Sequence, residues 1–110
     1  MTTKTRQPTP APVSRAVTKL GEDVSRARRR RRLSRASLAE RTGISEATLK
    51  RLERGDGAVA LESLARTLYV LGELDRLEAL LDTATDELGI QLADEQLPKR
   101  VRARKSSEAM

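Results

Sequence analysis

Apolar residues recur at helical spacing through the middle of this 110-residue chain, and glycines interrupt them. Leu20, Val24 and Ala27 form an i, i+4, i+7 stripe. That stripe predicts a first helix starting between Val17 and Glu22 and running to about Arg31. A second helix over about Arg35–Thr42 and a third over about Glu46–Arg54 follow, each preceded by a serine able to cap open backbone N–H groups, Ser34 and Ser45. Gly55-Asp56-Gly57 reads as a stop and a loop. Leu61, Leu64, Ala65 and Leu68, with Leu71 on the flank, predict a fourth helix that Gly72 ends. Leu74, Leu77, Leu80 and Leu81 predict a fifth, over about Leu74–Thr83. Beyond Thr85 the pattern supports two readings. Leu88, Ile90 and Leu92 alternate with Gly89 and Gln91 as in a short strand, while Glu87–Glu95 also suits a frayed helix. Pro98 ends either one, and no internal repeat is present.

The second and third helices make a particular unit. Leu38, Ala39, Ile44, Leu49 and Leu52 line up as one apolar seam, Ala39 is small enough for close helix approach, and Gly43 can take the left-handed conformation of a sharp helix end. These are the requirements of a helix-turn-helix, whose second helix enters the major groove of DNA. The predicted class is all-α: a five-helix helix-turn-helix domain with disordered basic tails and, on one reading, a short C-terminal dimerisation strand.

Composition narrows the chemistry. Tyr69 is the sole aromatic, so the core is built from Leu, Ile, Val and Ala. There is no Cys and no His, which removes disulfides, thiolate metal sites and the usual general base. Gly-rich phosphate loops and paired carboxylates are also lacking, so no catalytic residue, metal or cofactor is expected. No apolar run reaches the length of about 18 residues that a membrane span needs, so a cytoplasmic protein is the expectation. Charge is strongly segregated. Residues 1–35 hold eleven Lys/Arg against two acids, residues 36–97 six against thirteen, and residues 98–110 five against one. Basic ends suit a polyanion, and the acidic stretch 62–95 suits solvent or a protein partner. Residues 1–15, with Pro8, Pro10 and Pro12, read as a disordered arm, either idle or tracking phosphates through Lys4, Arg6 and Arg15. The expected division is then 1–15 arm, 16–84 DNA-binding domain, 85–97 dimerisation or partner-binding segment, and 98–110 basic tail. Five consecutive arginines, Arg28–Arg32, cannot all face solvent on one helix, so at least one is expected to turn inward.

Val24, Arg28, Leu33-Ser34, Leu38-Ala39, Gly43-Ile44-Ser45, Thr48-Leu49 and Leu52-Glu53-Arg54-Gly55 together resemble the Xre/Cro-type helix-turn-helix of phage and bacterial repressors, over roughly residues 20–72. The resemblance implies a lambda-repressor-like fold in which Arg28 is the arginine that turns inward, in a structural ion pair with Glu53. It also marks three departures. Arg35 stands where Gln usually bonds a phosphate, a role arginine can keep. Arg32 stands where Gly is common, so the end of the first helix is either less tight or strained. Ala47 occupies a position that often reads a base and offers only a methyl. Glu46, Lys50 and Arg51 remain as candidate base contacts, with Glu46 equally suited to the helix dipole and Lys50 to plain solvated surface. Ser45, Thr48, Arg35 and the exposed members of Arg29–Arg32 are candidate phosphate contacts.

The wider layout is similar to HipB-like antitoxins: Leu71-Gly72-Glu73-Leu74-Asp75-Arg76-Leu77, an acidic Leu-rich stretch, then Ala93 to Arg102. This resemblance implies a homodimer on a palindromic operator, nucleoid association in a bacterial cytoplasm, and a HipA-family kinase toxin as partner. The surplus leucines after Leu71 independently point to a two-fold interface, since leaving them exposed would create a large apolar patch. A protein-interaction adaptor that kept the fold without specific DNA binding is the competing expectation.

Overall fold

The computed structural model describes residues 7–82, 88, 89 and 91, and all secondary structure among them is helical. In order these are α1 (Ala11–Arg30), α2 (Arg35–Thr42), α3 (Glu46–Glu53), α4 (Leu61–Leu71) and α5 (Leu74–Glu78). The chain divides into two compact units, Met1–Leu77 and Glu78–Met110.

In the first unit α1 packs on α3, and α2 packs on both α3 and α4. Val24, Leu38, Ala39, Leu49, Leu52 and Leu71 form the buried core, with Leu20, Ala27, Leu33, Ile44, Val59, Leu64 and Val70 packed around it. Ile44 thus sits at the edge of the seam rather than in it. The α1–α3 crossing is unusually close. A Cβ on Gly21 would lie 2.5 Å from the Leu52 carbonyl oxygen and 2.8 Å from that of Glu53.

Two of the helix starts carry a serine cap, whereas α1 and α4 begin without a side-chain cap. Ser34 and Ser45 side chains accept from the N–H groups of Ser37 and Thr48, each at 3.0 Å. At the C-termini, Gly43, Gly55 and Gly72 take φ near +80° and turn the chain sharply after α2, α3 and α4. Arg32 does the same after α1 at φ 55°, alone among the described non-glycine residues. Its N–H reaches the Arg29 carbonyl at 2.9 Å and the next N–H, Leu33, reaches Arg28 at 3.2 Å. These are the two bonds of a Schellman end. Of the two expected outcomes, the end stays tight and the arginine backbone carries the strain.

Three sequence expectations need correction, and one alternative is decided at the residues described. First, α1 begins at Ala11, so Ala11–Arg15 are helical and not part of an arm. Pro12 lies in the first turn, where its missing N–H costs nothing and its fixed φ suits the helix. Second, the inward face of α4 is shifted. Leu61 is 68% exposed, whereas Thr67 is fully buried and Leu71 nearly so. Thr67 can occupy the core because its hydroxyl donates to the Ser63 carbonyl at 2.8 Å, a self-contained bond that hydrophobic pattern does not register. Third, α5 stops at Glu78 rather than Thr83, and Asp82 N–H closes a turn on Ala79 at 3.2 Å. Of the two readings beyond Thr85, Leu88, Gly89 and Gln91 take the helical one. Lys4, Arg6, Ile90, Leu92 and the tail 98–110 lie outside the described residues.

Candidate nucleic-acid interface

Helical spacing puts Glu46, Ala47, Lys50 and Arg51 on one side of α3, opposite Leu49 and Leu52. Glu46, Ala47 and Lys50 are exposed, and among the described residues no hydrogen bond or ion pair holds the Glu46 or Lys50 side chain. Arg51 differs. Its Nε donates to Asp56 Oδ2 at 2.8 Å, and the side chain stays 41% exposed. Ser45 spends its hydroxyl on α3 itself, accepting from Thr48 N–H and donating to Thr48 Oγ1 at 2.8 Å. That bond fixes the start of α3, and Thr48 is half-buried.

Beneath this face lies an ionic knot. Arg28 is 8% exposed, the inward member of its run. Its Nε and Nη2 donate to the two Glu53 oxygens at 2.7 and 3.0 Å, and Nη1 donates to the Leu33 carbonyl at 2.9 Å. Arg35 adds a third donor, Nε to Glu53 Oε1 at 3.2 Å. Burial pushes the Glu53 carboxyl up, but the bonds and charges of Arg28 and then Arg35 outweigh it, so its pKa lies below the usual glutamate value. The same hydrogen bond raises Arg28 further, against its burial. One carboxylate therefore ties the ends of α1 and α3 to the start of α2. Arg35 is anchored by Nε and makes no other hydrogen bond among the described residues.

The remaining arginines divide by role. Arg31 donates to the Leu71 carbonyl at 3.0 Å and lies 3.8 Å from Glu73. Arg66 donates to the Thr42 carbonyl at 3.1 Å. Each places a cation on the open carbonyls ending another helix, α4 and α2 respectively, where the dipole favours it. Arg29 donates to Ser25 Oγ at 3.3 Å, while Arg30 and Arg32 are exposed and make no side-chain hydrogen bond or ion pair among the described residues, Arg30 feeling only the nearby charge of Asp23. Sequence reasoning missed the positions of Arg31, Arg66 and Asp56. For Asp56 a signal existed: it follows the glycine that ends α3, five residues after Arg51.

Among the described residues, no group of three or more His, Cys, Asp or Glu is placed to hold a metal ion. No helix there is long and apolar enough to cross a membrane. The helix-turn-helix domain family matches residues 19–83, and the chain belongs to that family. The match supports an Xre-like DNA-binding regulator, a class of domain that is typically non-enzymatic. No curated protein and no solved structure matches the chain.

Proposed function

We propose that this protein is a sequence-specific transcriptional repressor that binds a palindromic operator as a homodimer. The observation that carries the reading is the α3 face, where Glu46, Ala47 and Lys50 are open and Arg51, held by Asp56 at Nε, is part-exposed, while the opposite side of the helix forms the core. Lys50 and Arg51 donate to guanine O6 and N7, Glu46 accepts from cytosine N4, and Ala47 packs on a thymine methyl. Phosphate contacts come from Arg29, Arg30 and Arg32 at the end of α1, from Arg35, and from the Thr48 hydroxyl at the start of α3, which Ser45 holds in place by its own hydrogen bond. Leu80, Leu81 and Leu88, 69%, 83% and 65% exposed, support a two-fold interface in the second unit. A symmetric dimer then reads half-sites about 34 Å apart. The finer reading, an autoregulating antitoxin of a HipA-family kinase toxin, rests on the resemblance to HipB-like antitoxins and on the acidic stretch 62–95 as the toxin-facing surface.

Anisotropy titrations of the full chain against duplexes selected from a random library test the DNA reading. Affinity should fall with salt at a log–log slope of about −0.9 per phosphate contact. A flat response favours the adaptor alternative. Sedimentation tests the dimer: the intact chain should be dimeric at micromolar concentration, and the double change Leu80→Ser with Leu81→Ser should shift it to monomer. An intact chain that remains monomeric overturns the dimer.

A further inference from the structure

We infer that Asp56 is a specificity-determining residue, holding the Arg51 guanidinium by its Nε edge so that the two terminal nitrogens form a fixed fork for a guanine. This rests on the reading of Arg51 as a base contact and names the residue that positions it.

The way α3 ends puts Asp56 there. Gly55 turns the chain at φ 82°, and Asp56 N–H closes the helix on the Arg51 carbonyl at 3.0 Å. A Schellman end of this kind brings the side chains of these two positions together, usually as an apolar contact. Here the contact is ionic. Asp56 Oδ2 takes Arg51 Nε at 2.8 Å, and Oδ1 takes the Ala58 N–H, also at 2.8 Å. With both oxygens engaged, one of them by the backbone, the carboxylate is not free to swing. The Arg51 hydrogen bond, then the Ala58 N–H, hold it below the usual aspartate pKa, so it stays ionised at neutral pH.

A carboxylate on the Nε edge leaves Nη1 and Nη2, whose spacing matches guanine O6 and N7. No other hydrogen bond engages the Arg51 guanidinium among the described residues. A loose arginine loses its rotamer freedom when it binds a base, whereas one already held has lost it beforehand. Lys50 and Glu46, on the same face, have no such tie. The Asp56 charge also repels the phosphates of any sequence, so it lowers affinity for wrong duplexes as it improves the fit to the right one.

Full-length wild type, Arg51→Ala, Asp56→Asn and the double variant are each used to select duplexes from a random-sequence library. Binding to the wild-type winner and to its scrambled form is then measured across salt. The amide of Asp56→Asn can still accept the Ala58 N–H, which spares the loop, but it presents no charge to Arg51. Arg51→Ala should erase a guanine preference at one position per half-site, by roughly 5- to 150-fold. Asp56→Asn should weaken the same preference by roughly two- to twelvefold, raise affinity for the scrambled duplex, and add nothing to the preference in the double variant. If Asp56→Asn melts too low to be read, Asp56→Glu serves instead. It keeps the charge and displaces the carboxylate, so the preference should weaken with scrambled affinity unchanged. A preference that survives or sharpens in the Asp56 variants, with Arg51→Ala effective, overturns the role of Asp56 alone. A silent Arg51→Ala overturns the Arg51 reading and this inference together.

Discussion

Replacing Glu53 tests the ionic knot most directly. Glu53→Ala removes both oxygens and leaves Arg28, 8% exposed, with Nε and Nη2 facing no acceptor. Arg35 loses its anchor at the same stroke. Stranding a buried charge in this way costs about 3–5 kcal/mol, against a total of about 5–15 kcal/mol for a small domain. At about 4–8 °C per kcal/mol for a domain of this size, the melting temperature should drop by at least about 12 °C. Glu53→Gln should fall between wild type and Glu53→Ala, because it keeps one acceptor but loses the charge. The pH dependence has a defined sign. The folded Glu53 pKa lies below the ordinary value of about 4.5. Its stabilisation is therefore complete above that value and disappears as pH falls from there through the folded pKa. The gap between wild type and Glu53→Gln should be constant near neutral pH and close in acid. Circular-dichroism melts from pH 7 down to pH 3 measure both. A Glu53→Ala melt within about 2 °C of wild type at pH 7 would falsify the claim that this carboxylate holds α1, α2 and α3 together.

Three further outcomes follow from the backbone. Gly21→Ala should destabilise by about 1–3 kcal/mol, because its Cβ meets the Leu52 and Glu53 carbonyls, which cannot rotate aside as a side chain could; an unchanged denaturation midpoint would refute so close a crossing. Arg32→Gly should stabilise by about 0.5–1 kcal/mol, since glycine accepts φ 55° without the steric penalty. A melt that stays put or falls contradicts the strain assigned to Arg32. Ser45→Ala should cost about 0.5–2 kcal/mol by opening the Thr48 N–H at the start of α3, and hydrogen exchange at that amide should speed up; exchange at the wild-type rate argues that Ser45 is not the cap.

The extent of α2, α3 and α4 was readable in the sequence because the marks are local. A serine before each of α2 and α3, and a glycine after each of the three, act within a few residues of themselves, and the chain carries them in plain order. The match to the helix-turn-helix domain family spans all three of these helices. Local marks also misled at α1, where prolines suggesting an arm serve as a helix start, and at α5, where leucine spacing outran the helix. The resemblance to known repressors already paired Arg28 with Glu53. What tertiary structure alone decided is how the other charges pair. The rest of the arginine run looks uniform along the chain, yet Arg31 seals the end of α4 while Arg30 and Arg32 stay open. Arg35 shares Glu53, and Arg51 pairs with Asp56. A guanidinium on a long flexible stem can reach any of several carboxylates or carbonyls, so its sequence neighbours do not choose the partner. Packing chooses, by setting which acceptor is close, how dry it is, and which nitrogens are left over.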